Sequence, residues 1–490
     1  MTYLRTPSRP LKTIAAAALV LVLTACADMG HITPQAKLLD ANTLAAGSAI
    51  AAAHGPIEWP TEQWWSALHD PQLDQLLATA LAGNPNLHVA EARVRQARAI
   101  TGVAEEATRP KAELGASVNR EKYAAYGSVP PPLNGTWQWR TELTASASYD
   151  LDLWGRNRSA LAAALDDVQM ASAESQVVRL SLETAIVRSY IELSQQYHTQ
   201  DIIRDTLQQR ERILAITRQR QTAGLGTEFD VTLVETALPA AKRELEQSEE
   251  EIALLRNQLA ALSGKGPGAG ESITRPSLVL DHPLSLPSAL PAELVGRRPD
   301  IAAQRWRVEA EAKRIDVAKA AFYPNINLLL YTGFESFSIT HVLDTNAQTH
   351  GFDPAISLPI FAGGRLRGQL GSQTAQYDGA VEQYNATVVR ALQDVADAIT
   401  RARSLQQQDV LTQQSLALAQ RAQMLAEKAY RAGMTDSINA INAQVTLLRE
   451  QQQTVQIDAR KLDVYVSLMA ALGGGVALPP AVAPQASAQN

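Results

Sequence analysis

Hydrophobic spacing along the chain changes period in a set order, and the order occurs twice. From Arg156 to Ala223 there is neither Pro nor Gly, which allows one helix of about 100 Å. From Ala380 to Ala432 the same holds. There Tyr377, Val381, Tyr384, Val388, Ala391, Val395, Ala398 and Ala402 alternate spacings of four and three, the seam of a coiled coil with small residues at the contact. Gly224-Leu225-Gly226 and Gly433-Met434-Thr435 end these helices, and a second helical stretch follows each reversal, so two long helical hairpins are expected. Pro239 is expected to kink the returning helix of the first hairpin.

Ahead of each long helix the period falls to two. Leu143, Ala145, Ala147, Tyr149 and Leu151 alternate with Thr144, Ser146, Ser148 and Asp150. Phe352, Ile356, Leu358 and Ile360 alternate with Asp353, Ala355 and Ser357. Leu114 to Asn119 and Asn325 to Phe334 supply two further strands. Apolar residues on one face with small polar ones on the other suit a barrel between lipid and water, or a soluble hairpin packed on helices. Trp137, Trp139, Phe334, Phe337 and Phe352 are expected at strand ends, where an interfacial girdle would lie. Four strands cannot close a barrel, so membrane strands would have to be pooled among several chains.

The two halves correspond in detail. Asn84-Pro85-Asn86-Leu87 matches Arg298-Pro299-Asp300-Ile301, Arg93-Val94 matches Arg307-Val308, and Pro110 matches Pro324. Leu153-Trp154-Gly155-Arg156 matches Ile360-Phe361 followed by Gly363-Gly364-Arg365. Ala223-Gly224-Leu225 matches Ala432-Gly433-Met434, and Ala260-Ala261-Leu262 matches Ala470-Ala471-Leu472. Six landmarks in one order point to a duplicated unit. The first repeat spans 26–262, with a strand pair near 112–151 and a helical hairpin over 155–262. A Gly- and Pro-rich linker over 263–298 leads to the second repeat, 299–472, with a strand pair near 325–361 and a hairpin over 364–472. The tail, 473–490, is expected to be disordered.

The N-terminus adds a compartment. Arg5, Arg9 and Lys12 precede a short apolar run from Ile14 to Leu23, so 1–25 reads as a secretory signal peptide. Leu23-Thr24-Ala25 stands before Cys26, the only cysteine, in the manner of a bacterial lipobox. Lipidation at Cys26 by diacylglycerol and palmitate is the expected modification, and Ala27 rather than Asp after it points to the outer membrane. No later run of about 18 apolar residues could form a transmembrane helix, leaving a barrel as the way to span.

Composition narrows the chemistry. A net charge of -6 argues against nucleic acid as a partner. The eight histidines are scattered, and no G-x-S-x-G elbow occurs. Gly264-Lys265-Gly266-Pro267-Gly268 lacks the P-loop pattern, and Glu244, Glu246, Glu249, Glu250 and Glu251 read as a solvated helix face. The chain is expected to have no enzymatic activity and to take neither metal nor other cofactor.

Several stretches resemble the TolC family of outer-membrane factors, in its lipoprotein branch. They are Trp64-Trp65 with Leu73, Leu76 and Leu77; Asn84-Pro85-Asn86-Leu87 with Ala92-Arg93; and Tyr149 through Arg156. Arg297 through Ile301, Phe322-Tyr323-Pro324 and Pro359 through Arg365 complete the likeness, which runs to about Gly475. The resemblance implies a mainly α protein with a membrane β-barrel: a homotrimeric tunnel whose chains pool four strands each into a twelve-stranded barrel. A belt of short helices would surround the tunnel.

The implied function is a passive exit duct for small toxic compounds or drugs in a tripartite efflux pump, with a periplasmic adaptor and an inner-membrane pump as partners. A protein-secretion duct, or a periplasmic coiled-coil scaffold, is the alternative. The resemblance also implies a periplasmic gate at Ile438, Asn439 and Asn442, and adaptor contacts at Gly224, Leu225, Gly226, Thr227, Gly433, Met434, Thr435 and Asp436. Many relatives carry Asp where Asn442 stands and some at Asn439; neutral Asn rings would not attract cations as ionised Asp rings do.

Overall fold

A computed structural model describes residues 29–40, 44, 59–278, 297–362 and 364–475. Cys26, the leader, the linker over 279–296 and the tail from 476 lie outside the described residues. The chain forms α1 (Pro71–Gly83), α2 (Pro85–Glu106), β1 (Lys111–Lys122), β2 (Trp137–Leu151), α3 (Arg156–Thr222) and α4 (Glu228–Leu262). It continues as α5 (Pro299–Ala320), β3 (Asn325–Ser336), β4 (Gln348–Ser357), α6 (Arg365–Arg431) and α7 (Ser437–Ala471). The duplication extends to length: α3 and α6 have 67 residues each, α4 and α7 have 35 each, and α2 and α5 have 22 each.

The residues fall into two compact units. One contains 93–171 and 304–384; the other contains 39–92, 172–303 and 385–490. The first holds an antiparallel sheet in the order β1-β2-β3-β4. The sheet joins its helices through the family-like signatures. The Trp154 ring stacks on Tyr323 with centroids 4.6 Å apart, and its Nε1–H donates to Pro324 O at 2.9 Å. Asp152 accepts from Asn157 N at 3.1 Å and Arg158 N at 2.9 Å, satisfying amides that the first turn of α3 leaves without helical partners.

In the second unit, Trp64, Trp65, Leu68, Leu73 and Leu77 pack with Ile186, Tyr190 and Leu193 of α3 and Leu255 and Leu259 of α4. Val395, Ala398 and Ile399 of α6 pack against Leu468 and Ala471 of α7. Small residues at the seam allow these backbones to approach closely.

The repeat motifs act as equivalent clasps. Asn84 Nδ2 donates to Leu262 O at 2.8 Å, at the end of α4. Arg298 Nη1 donates to Ala471 O at 3.2 Å, at the end of α7. Each ties the start of a repeat to its last carbonyls, which have no helical partner of their own. Arg298 also grips both carboxylate oxygens of Asp300, at 3.1 and 2.8 Å, and Asp394 Oδ2 at 3.0 Å.

Helix α4 carries Pro239 within its span from Glu228 to Leu262. One expectation changes. The last strand starts four residues before the alternation of Phe352 to Ile360 suggested and ends three residues before it, at Gln348–Ser357, leaving Leu358 and Ile360 beyond it. Pro359 has no amide hydrogen to extend the ladder, whereas Pro354 is accommodated in β4 as an edge strand.

Candidate functional site

The register of the sheet separates the side chains by chemistry. Leu143 pairs with Ala116 and Phe334, Ala145 with Leu114 and Thr332, and Ala147 with Ala112 and Leu330. Leu330 pairs in turn with Phe352, and Ile326 with Ile356. Side chains directly opposite one another share a face. One face therefore carries a band of Ala112, Leu114, Ala116, Val118, Leu143, Tyr149, Leu151, Ile326, Leu328, Phe334, Phe352 and Ile356, with Arg120, Lys122, Gln348 and His350 toward its loop end.

The other face carries Ser117, Asn119, Gln138, Thr144, Ser146, Ser148, Asn325 and Asn327. It also carries every strand carboxylate: Glu113, Glu121, Glu142, Asp150, Glu335 and Asp353. Only Lys111 and Arg140 oppose them there, Arg140 pairing with Glu335 at 3.0 Å. A sheet apolar across one face and acidic across the other is built to divide lipid from water.

Trp137 and Trp139 stand at the loop end of β2, and Phe334 lies further in, opposite Leu143. Phe337 follows β3 and packs edge-on against Tyr123, with centroids 5.9 Å apart. Phe352 is displaced from the expected rim into the apolar band by the earlier start of β4.

The two hairpin tips share one construction. Gly224 and Gly433 adopt φ of 73° and 71°, a left-handed conformation open to Gly without steric penalty. Leu225 N donates to Arg220 O at 2.8 Å, and Met434 N to Ala429 O at 2.9 Å, the long bond of a Schellman motif. The residue making that bond commonly packs back on its helix. Leu225 and Met434 instead remain 70% and 81% exposed, with Phe229 exposed beside the first tip.

After Gly226, Thr227 caps α4 in a reciprocal box with Asp230. After Thr435, Asp436 occupies the corresponding position before α7 without a side-chain cap bond. Near the tips, the Thr217 and Tyr430 hydroxyls are hydrogen-bonded at 2.9 Å, and Arg220 lies over the Tyr430 ring.

Along α7, Ser437, Ala440, Gln444 and Leu447 are buried, while Ile438, Asn439, Asn442 and Val445 are exposed. Ile438, Asn442 and Val445 are four and three residues apart and form one open stripe. Asn439 Nδ2 donates to Thr435 Oγ1 at 2.7 Å, which ties it to the tip. Among the described residues, no cluster of His, Cys, Asp or Glu is arranged to hold a metal, and no helix is long and apolar enough to cross a membrane.

A two-faced sheet and two long helical hairpins in one chain are the parts of a channel-forming subunit. The chain belongs to the outer membrane efflux protein family, which it matches over residues 76–265 and 290–474. It is 44% identical to a fusaric acid resistance protein, FusA, of Burkholderia cepacia over 367 residues, covering 74% of this chain and 69% of that protein. It is 31% identical to the multidrug resistance outer membrane protein MdtQ of Escherichia coli O157:H7 over 477 residues, covering 94% and 98% of the two chains. The crystal structure of the outer membrane protein VceC of Vibrio cholerae superimposes with a TM-score of 0.81 at 34% identity, over 85% of this chain and 100% of that one. The protein is an outer-membrane channel subunit of an efflux pump, with the fold of the TolC-like channels.

Proposed function

We propose that three copies pool their strands into a twelve-stranded barrel in the outer membrane, and that the helical hairpins carry the duct on through the periplasm. The carrying observation is the sheet itself: one apolar face, one acidic face and two outer strands, β1 and β4, each paired on one side within the chain. Four strands are about half of the smallest single-chain barrel, and unpaired edges in lipid are costly. The relatives' names, for fusaric acid and multidrug resistance, support small toxic organic compounds as the cargo.

In this reading Cys26 carries the lipid anchor. The tips at Gly224–Thr227 and Gly433–Asp436 meet a periplasmic adaptor, which couples the duct to an inner-membrane pump that supplies the energy. Ile438, Asn439 and Asn442 line the periplasmic constriction, where neutral amides hydrogen-bond across the axis without drawing in cations. The scaffold alternative gives no use to a sheet with a broad apolar band on one face.

The native mass of the membrane-extracted protein tests the assembly. Three chains, each with a lipid-modified N-terminus, are expected. A monomer released from the membrane by Cys26→Ser would refute the barrel.

A further inference from the structure

The apolar face of the sheet carries two charges, Arg120 and Lys122, and no carboxylate. Both cations lie at the loop end of β1, the end away from the helices. Arg120 is paired across the strands with Trp139, and Lys122 with Trp137. The Arg120 guanidinium lies 5.5 Å from the Trp139 ring centroid and 6.0 Å from that of Trp137. Both rings are largely exposed, at 41% and 60%.

We propose that this corner binds the phosphate groups of the glycolipid in the outer leaflet. The proposal rests on the barrel reading above, which turns the apolar face to lipid and the loop end to the outside. An exposed cation in a hydrocarbon layer is costly, so a pair of them marks the depth where the layer ends. At that depth an outer leaflet of phosphorylated glycolipid presents anions beside acyl chains.

The corner offers the complement of both: indole faces for the upper acyl chains and two cations for phosphate. The rings hold the guanidinium in place by cation–π attraction, so little side-chain freedom remains to be lost on binding. All six strand carboxylates are on the opposite face, so none of them competes for Arg120 and Lys122 across the same surface.

The test uses the full-length protein in detergent, with native mass recorded after adding diphosphorylated lipid A or its dephosphorylated form. Wild type is expected to retain the phosphorylated form preferentially. Arg120→Gln with Lys122→Gln should weaken that retention about twenty-five-fold, or about five-fold per cation. Lys111→Gln removes a cation from the opposite face of the same strand and should leave retention unchanged. Arg120→Lys with Lys122→Arg preserves both charges and should keep most of it.

Equal retention by wild type and the double Gln variant overturns the proposal, as does an equal loss in Lys111→Gln. If the double Gln variant does not assemble, Lys122→Gln alone carries the same comparison, at about five-fold. The same spectrum counts subunits: a wild type that is monomeric brings down the barrel reading and this proposal together. A wild-type trimer without preference for the phosphorylated form brings down this proposal alone.

Discussion

The Tyr190 hydroxyl donates to Asp70 Oδ2 at 2.9 Å, joining residues 120 apart in the chain. Asp70 Oδ2 also accepts from Ser277 N at 2.7 Å, while Oδ1 caps α1 through Gln72 N and Leu73 N at 2.9 and 3.3 Å. One buried carboxylate thus ties together the start of α1, the middle of α3 and the segment after α4. Tyr190→Phe is expected to cost about 1–2 kcal/mol by removing one partner from a buried charged group. Asp70→Ala should cost more, because the helix cap goes too. Thermal denaturation of the two variants side by side checks the order.

The sheet faces predict opposite responses to one change. Leu330→Arg puts a charge on the apolar face and should cost about 2–4 kcal/mol in a bilayer, reducing the amount of assembled outer-membrane protein. Ser146→Arg, on the acidic face, should assemble at the wild-type level. Quantifying the oligomer extracted from membranes distinguishes them, and similar losses would place both residues in one environment.

The exposed tip residues predict a failure of coupling without a failure of folding. Leu225→Asp combined with Met434→Asp should leave the native mass unchanged, since both side chains project from their helices. Susceptibility to exported compounds should rise to the level of a strain lacking the gene. Full resistance in this variant would remove the tips from the adaptor contact.

The amides of α7 predict an electrostatic gain. If Asn442 lines the constriction as proposed, Asn442→Asp would place one carboxylate per chain there, and divalent cations should then block conductance in planar bilayers more strongly than in the wild type. An unchanged response would exclude Asn442 from the narrowest part of the duct.

Burial, reinforced by the Glu309 carboxylate, pushes the Asp166 carboxyl from 3.8 up to about 6. The folded protein binds this proton more tightly than the unfolded chain, so Asp166 favours folding most below its ordinary pKa. That contribution is lost as pH rises through about 6. Asp166→Asn should therefore gain melting temperature relative to wild type at about pH 8 and little at about pH 4. A gap that does not widen with pH would show that Asp166 titrates normally.

Much of the fold was legible because its periods are long or clean. The Gly- and Pro-free run of α3 left one regular conformation open to all 67 of its residues, and the run from Ala380 did the same for most of α6. The small polar partners of Leu143 to Leu151 disclosed a strand with two unlike faces. The register of β4 was not legible, because Phe334 opposite Gln348 is a pairing between strands and the spacing within one strand carries no trace of it.

The Asp70 hub was partly visible. Asp before Pro71 is a helix-start signature, but nothing local announces Tyr190 as its partner. Arg298 stood out as part of a motif, and only the fold brings it onto Ala471. For the tips, the turn chemistry of Gly224 and Gly433 was readable, whereas the outward projection of Leu225 and Met434 depends on what the neighbouring helices leave uncovered.

Because the four strands alternate in direction and are even in number, β1 and β4 run opposite ways. If β4 of one copy met β1 of the next, as proposed above, the seam would be antiparallel like every pairing within the chain. The sheet is thus a tile with matching borders, and a ring of any number of tiles keeps the alternation unbroken. In the pooled-barrel proposal, strand direction therefore leaves the number of copies open, and the choice of three has to come from outside the backbone pairing of the sheet.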